Sequence, residues 1–181
     1  LWFNSNDNIV NTFKLPYYEV EIVEDFPHPE EFGPGNDAIK KAYFMNVGNA
    51  DAYLRASYRE VWKAKDGAIL SNTFEKDGQQ VDVVEKGWTS EWGSEWTHKN
   101  DGYAYYNKVL KAGATTKPII TKVKLHEDAP DIYSEAQYTL EFKVESLIYA
   151  KTQEIRESDR LKISELWGIM PDVYGDGNVH W

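Results

Sequence analysis

Apolar and polar residues alternate with a period of two along most of this chain, the signature of half-buried strands. Residues 41–62, KAYFMNVGNADAYLRASYREVW, read as two long strands joined by a tight turn. In the second arm Ala52, Leu54, Ala56 and Tyr58 share one face, and Tyr53, Arg55, Ser57 and Arg59 share the other. Gly48 and Asn49 lie between the arms and suit the positive-φ positions of a hairpin turn. The first arm is apolar on both faces, with Ala42 and Phe44 opposite Tyr43, Met45 and Val47, which suits a strand covered on two sides.

The same reading extends in both directions. Ile9, Phe13 and Leu15 share a face with Asn11 in a short strand that ends at Pro16, a residue with no backbone N–H for a ladder. Tyr18, Val20 and Ile22 then alternate with Glu19 and Glu21 before a loop rich in proline and glycine. Residues 101–110 predict a strand, and Ile119, Thr121, Val123 and Leu125 predict the common face of the next one. The longest alternation sets Leu140, Phe142, Val144 and Ile148 against Thr139, Glu141, Lys143 and Glu145. The period then changes: Ile163, Leu166, Trp167 and Met170 predict a helix over about 158–167, capped by Ser158 and ended by Gly168 and Pro171. Residues 63–100 mix glycines, charges and short apolar pieces and read as a surface excursion with a helix or hairpin, and the tail after Pro171 reads as loose. No fixed repeat and no low-complexity linker interrupts the pattern. The expected organisation is a segment 1–15 followed by one β-sandwich domain over 16–181.

Composition narrows the function. With 41% hydrophobic residues, including 7 Trp, 12 Tyr and 7 Phe, the chain has ample material for a core. A formal net charge of -10 repels phosphate backbones and anionic membrane surfaces, so nucleic acid is not an expected partner. No apolar run is long enough to span a membrane as a helix. There are no cysteines, which removes disulfides, thiolate metal sites and a cysteine nucleophile. The sequence starts at Leu1 without a Met, so any export signal is expected to have been removed or to lie outside it.

Candidate chemistry is sparse. His28, His98, His126 and His180 are scattered, and the HEDAP run at His126 places Pro130 where a zinc-protease helix would carry its second ligand. Acidic runs lack the glycine and terminal glutamate of a calcium loop, so no metal and no cofactor is expected. The many carboxylates on alternating strands read as the solvent face, and no nucleophile elbow or phosphate loop is present. Trp88, Trp92 and Trp96 recur every four residues in WTSEWGSEW; exposed, they would form a sugar or partner platform, and buried, they would anchor packing, the reading preferred here.

Three blocks carry a family resemblance: KKAYFMNVGNADAYLRASYREVW, DGYAYYNKVLKAGATTKPIITKVKL, and YTLEFKVESLIYAKTQ followed by a helix ending in ELWGI. Their order and spacing resemble the secreted, SipW-dependent biofilm matrix proteins of Gram-positive bacteria, the TasA, camelysin and BsaA type, and especially clostridial BsaA-like fibre subunits. The resemblance implies a jelly-roll-like sandwich of two antiparallel sheets with short helices on loops, a mature N-terminus near Leu1, and subunits that polymerise into fibres or pili outside the cell. It also implies a polysaccharide matrix and a minor or anchoring subunit as further partners. The camelysin branch is labelled a metallopeptidase, but the zinc motif is missing from this sequence, so a structural role is expected.

A terminal strand on a polar tether can leave its own sheet and complete a neighbour's, giving a heterologous interface that does not close. The expected donor comprises Phe3, Ile9, Val10, Asn11, Thr12, Phe13, Lys14 and Leu15, with Ile9, Phe13 and Leu15 entering the acceptor's core. The expected acceptor groove lies at Ala42, Tyr43, Phe44, Met45 and Val47. A lysine amine attacking an asparagine or aspartate side chain would give a covalent cross-link, and Lys14 and Asn11 are the positions in the donor segment where it is expected.

Overall fold

The computed structural model describes residues 2–3, 9–10, 20–25, 33–150 and 153–181, with side-chain environments for 20–25, 33–150 and 157–181. The strands in chain order are β1 Trp2–Phe3, β2 Ile9–Val10, β3 Val20–Asp25, β4 Asp37–Asn46, β5 Ala52–Lys63, β6 Ile69–Leu70, β7 Thr73–Lys76, β8 Gln79–Asp82 and β9 Val84–Trp88. A short helix α1, Ser90–Ser94, leads into β10 Trp96–His98, β11 Ala104–Tyr106, β12 Ile120–Leu125 and β13 Gln137–Ile148. Helix α2, Gln153–Trp167, and the pair β14 Asp172–Val173 and β15 Val179–His180 end the chain.

These elements build a mainly β, two-sheet sandwich of the kind the alternation predicts. One sheet has the order β1-β13-β5-β11-β10, with β2 also on β13 and β6 on β5; the other has the order β3-β4-β12-β9. Inward positions of both sheets, among them Val20, Phe44, Leu54, Trp62, Ile120, Tyr138 and Val144, form one buried core. Removing each such large apolar side chain from water contributes about 1.5–3 kcal/mol.

The strands at 41–62 are as expected, but their pairing is not. β4 and β5 belong to different sheets, so the connection is an arch between layers instead of a hairpin. Gly48 and Asn49 have no positive φ. The reason lies in Asn46, which is fully buried. Its Nδ2 donates to the carbonyls of Ala50 (2.9 Å) and Leu110 (3.0 Å), and its Oδ1 accepts from the Gly48 N–H (3.0 Å). The loop before β12 then supplies the partners a hairpin neighbour would have given, through Asn46 N–H to Ala114 O and mutual bonds between Ala52 and Leu110.

Three further expectations change. Residues 63–100 are not a mere excursion: β9 pairs along β12, β10 pairs along β11, and the β7–β8 hairpin turns on Asp77 and Gly78, both at positive φ. The common face proposed for residues 119–125 breaks at a bulge between Ile120 and Lys122. Ile119 and Ile120 are therefore both buried, and Thr121 is exposed. Gly87 fits this bulge because a Cβ there would stand 2.7 Å from Lys122 Cγ and 3.1 Å from its carbonyl oxygen. The tail is ordered by pairing of β14 with β15.

α2 begins before Ser158, which lies within it, and ends at Gly168, whose φ is +71° and whose N–H bonds to Ser164 O. Its Ile163 and Trp167 are buried, whereas Leu166 and Met170 are exposed. Ile163 and Trp167, with Tyr53, Tyr105, Leu147 and Val179, form a second core on the outer face of the β13 sheet. That covering explains why Glu145, expected at the solvent face, is only 5% exposed.

Candidate assembly edge

β13 is the strand around which the candidate site is built. One side of it pairs with β5 through twelve residues, from Gln137 opposite Lys63 to Ile148 opposite Ala52. Two directly opposed charge pairs support that register: Arg55 Nε donates to Glu145 Oε2 at 2.5 Å, and Arg59 Nη2 to Glu141 Oε2 at 2.5 Å. The Arg55 guanidinium also lies 3.9 Å from the Tyr103 ring centroid and 4.9 Å from that of Trp167, tying β5 to α2. Lys143 Nζ reaches Glu145 Oε1 at 2.7 Å and donates to Tyr103 Oη at 3.2 Å. Burial pushes the Glu145 carboxyl up, but hydrogen bonds from Lys143 and Arg55 outweigh it and hold the pKa below the usual value. Burial and a hydrogen bond to Asp101 push the Tyr105 hydroxyl up to about 12. The cluster is a charge-balanced clamp that stiffens β13.

The other side of β13 receives the N-terminal segment. Trp2 and Phe3 pair with Gln137 and Tyr138, and Ile9 and Val10 pair with Lys143 and Val144, both in parallel. Every other strand pair in the described residues is antiparallel. β13 also packs across the sandwich against β3, and β2 touches β3, so the segment lies at the open side where the two sheets meet. Just inside, the buried Lys40 of β4 pairs with Glu24 of β3 at 3.1 Å, with Lys40 Nζ 5.9 Å from the Phe142 ring centroid.

The expected acceptor residues sit elsewhere. Ala42, Tyr43, Phe44 and Met45 belong to β4, which is bonded to β3 on one side and β12 on the other, and Val47 follows it. β4 has no free edge, so a further strand could join it only by displacing one of these neighbours. The two-sided apolar pattern of residues 41–47 is not matched by two-sided covering: Ala42 and Phe44 are buried, Tyr43 and Met45 are half-buried, and Val47 is exposed. Of the expected donor residues, Phe3, Ile9 and Val10 are placed by their backbone pairing along β13; Asn11, Thr12, Phe13, Lys14 and Leu15 lie outside the described residues. The β13 edge that carries the N-terminal residues is not marked out by the sequence reading, although the alternation along this strand is the clearest in the chain.

The tryptophan trio is not a surface platform. Trp92 and Trp96 are 6% and 3% exposed, and Trp88, half-buried, stacks on Trp92 with centroids 5.6 Å apart. Thr89 caps α1 by accepting from Trp92 N–H and donating to Pro118 O, which turns the chain from one sheet to the other and stacks the rings down the end of the core. The described histidines are also engaged: a ring nitrogen of His98 bonds to Trp92 O, the Nδ1 of His126 accepts from Asp128 N–H, and His180 stands edge-on to Tyr174; His28 lies outside the described residues. No group of three or more His, Asp or Glu suited to a metal occurs among the described residues. No helix among them is long and apolar enough to cross a membrane.

The class defined by these observations is a mainly β, two-sheet sandwich with a terminal segment added to one sheet edge. No protein-family profile matches the chain, and no curated protein matches it. Among solved structures it is similar to an ASH/PapD-like domain of human CEP192 (PapD-like domain 7), with a TM-score of 0.34 and 13% identity, over 82% of this chain and 99% of that one.

Proposed function

We propose that this chain is a secreted structural subunit of a biofilm-matrix fibre or pilus of a Gram-positive bacterium, polymerising head to tail by exchange of residues 1–15. The observation that carries the reading is the parallel pairing of Trp2–Phe3 and Ile9–Val10 on the β13 edge. A strand added at an edge makes main-chain bonds that are the same whether it comes from its own chain or from a neighbour. Exchange moves the acceptor from β4 to β13 and leaves the rest of the sandwich unchanged. Each subunit offers one donor and one edge, so the interface is heterologous and grows into a filament. The order of the three sequence blocks that resemble the TasA, camelysin and BsaA type supports the extracellular setting, with other copies of the chain as the principal partner and an anchoring subunit or matrix polysaccharide as further ones.

The role is structural, not catalytic. Stoichiometric zinc with caseinolytic activity would overturn that part and favour a camelysin-like peptidase. An amide between the Lys14 amine and the Asn11 side-chain carbonyl of an adjoining subunit would reinforce the fibre, with one ammonia leaving for each C–N bond formed. Oligomers that survive boiling in detergent and show that mass loss would support it; monomers of calculated mass would refute it. Polymerisation is tested by deleting residues 1–15 and following the product by size exclusion and negative-stain microscopy. The full chain forms filaments and the deleted chain does not; filaments unchanged by the deletion would overturn the proposal.

A further inference from the structure

At the opposite edge of the β13 sheet, beside β10, an open cleft of about 450 Å³ lies between that edge and the β14–β15 hairpin. It is lined by Thr97, Asn107, Tyr174, Asn178, His180 and Trp181 over a floor of Val179. In a chain that is 28% charged, none of these is Asp, Glu, Lys or Arg. Charged groups beside it are engaged: Asp176 accepts from the Asn178 N–H and Nδ2, Lys99 Nζ donates to the Trp181 main-chain oxygen, and Lys108, bridged to Asn178, pairs with Glu95 at 2.9 Å. The lining therefore combines aromatic rings with neutral hydrogen-bonding groups.

We infer that this cleft binds a neutral saccharide. A sugar ring offers an apolar C–H face for aromatic packing and a rim of hydroxyls, each both donor and acceptor. The protein groups complement both. Tyr174 is 50% exposed and is held edge-on to His180, with ring centroids 5.1 Å apart. The Trp181 ring packs inward on Tyr105 at 5.0 Å and donates its Nε1–H to Tyr106 O, so it is fixed where it lines the cleft. Asn107 Oδ1 accepts from the Thr97 hydroxyl at 2.6 Å, which leaves its Nδ2 as a donor to the ligand. Asn178 commits its Nδ2 to Asp176, leaving Oδ1 as an acceptor.

The cleft is also preorganised. Val109 N–H donates to Gly177 O (2.8 Å) and Val179 N–H to Asn107 O (2.9 Å), so the hairpin carrying Tyr174, Asn178 and His180 is bonded to the segment carrying Asn107. Few of the lining groups need reordering on binding, which is how small polar sites gain affinity. The site is separate from the β13 edge and does not depend on polymerisation.

The test is a glycan array of neutral, sialylated and sulfated oligosaccharides probed with the full chain, followed by calorimetric titration of the strongest neutral trisaccharide. The expected result is binding to neutral glycans that is unchanged between low and 0.5 M salt, as expected for uncharged groups. Tyr174→Ala and Asn107→Ala are each expected to weaken it at least tenfold, on the order of 1.4 kcal/mol. Trp88→Phe, at a ring placed in the core, is expected to leave it within twofold. His180→Ala, at an exposed position, provides a second probe should Asn107→Ala alter the circular dichroism spectrum. Absence of binding to every neutral glycan at millimolar concentration, binding only to charged glycans, or affinity unmoved by Tyr174→Ala and His180→Ala would each overturn the inference.

Discussion

Replacing Asn46 by alanine tests whether residues 41–62 form an arch locked from within, because in a hairpin this side chain would lie near a solvated turn. The substitution removes three hydrogen bonds: two donated by Nδ2 to Ala50 O and Leu110 O, and one accepted by Oδ1 from Gly48 N–H. At about 1 kcal/mol net for each, the expected loss is about 3 kcal/mol. For a domain of this size that corresponds to a fall of about 6–12 °C in Tm. Asn46→Asp is expected to be worse at neutral pH, since it sets a carboxylate against the same two carbonyl oxygens in a fully buried position. The gap between the two variants should narrow in acid, where the protonated carboxyl can donate. Urea unfolding followed by tryptophan fluorescence at pH 7 and pH 4 measures both effects. A loss below about 0.5 kcal/mol for Asn46→Ala, with Asn46→Asp no worse, would refute the reasoning.

Further outcomes follow from particular environments. Trp92→Ala is expected to lower stability by about 3–5 kcal/mol because it empties a site packed between Trp88, Trp96 and His98, whereas loss from an exposed platform would leave the unfolding midpoint unchanged. Asp159, 7% exposed, has an Oδ2 without a hydrogen-bond partner among the described residues, and burial raises its pKa. Its contribution is therefore full below the unfolded value near 3.9 and is lost as pH rises through the folded one, so Asp159→Asn should raise the urea midpoint at pH 7 and leave it nearly unchanged at pH 3. Glu145 behaves in the opposite sense: its lowered pKa gives stability above the unfolded value near 4.3 that is lost as pH falls through the folded one. Glu145→Gln should cost about 3 kcal/mol at pH 7, with the difference from wild type shrinking in acid denaturation curves below pH 4.

Strands were legible because alternation is local, and β4, β5, β12 and β13 all stand where the pattern places them. Partnership was not, because it is decided at a distance: the arch depends on Leu110, 64 residues from Asn46 along the chain. β9, VEKGW, escaped detection because it is short and carries a glycine at the bulge facing Lys122. The C-terminal part of β13 looked amphipathic, yet Glu145, Ser146 and Leu147 are all buried, since α2 supplies a second core that alternation alone does not announce. The same limit governed the candidate edge. Residues 41–47 are apolar on both faces although only the inward one is fully buried, while β13, the strand that receives the N-terminal segment, shows an ordinary one-sided pattern. The lining of the β10 cleft comes from three separate stretches and includes a tail that read as loose, so no run of sequence marked it.

The absence of cysteine makes the central claim directly testable by engineered disulfides. Ile9 and Lys143 are register partners, so Ile9→Cys and Lys143→Cys place two thiols across the β13 edge. The two variants are prepared as separate chains with distinguishable tags, mixed under assembly conditions and oxidised. Strand exchange predicts a disulfide joining the two tags, found by mass spectrometry between the peptides carrying these positions. If the single variants never join, while a chain carrying both substitutions closes within itself as a monomer, the N-terminal segment completes only its own sheet and the polymerisation account is contradicted.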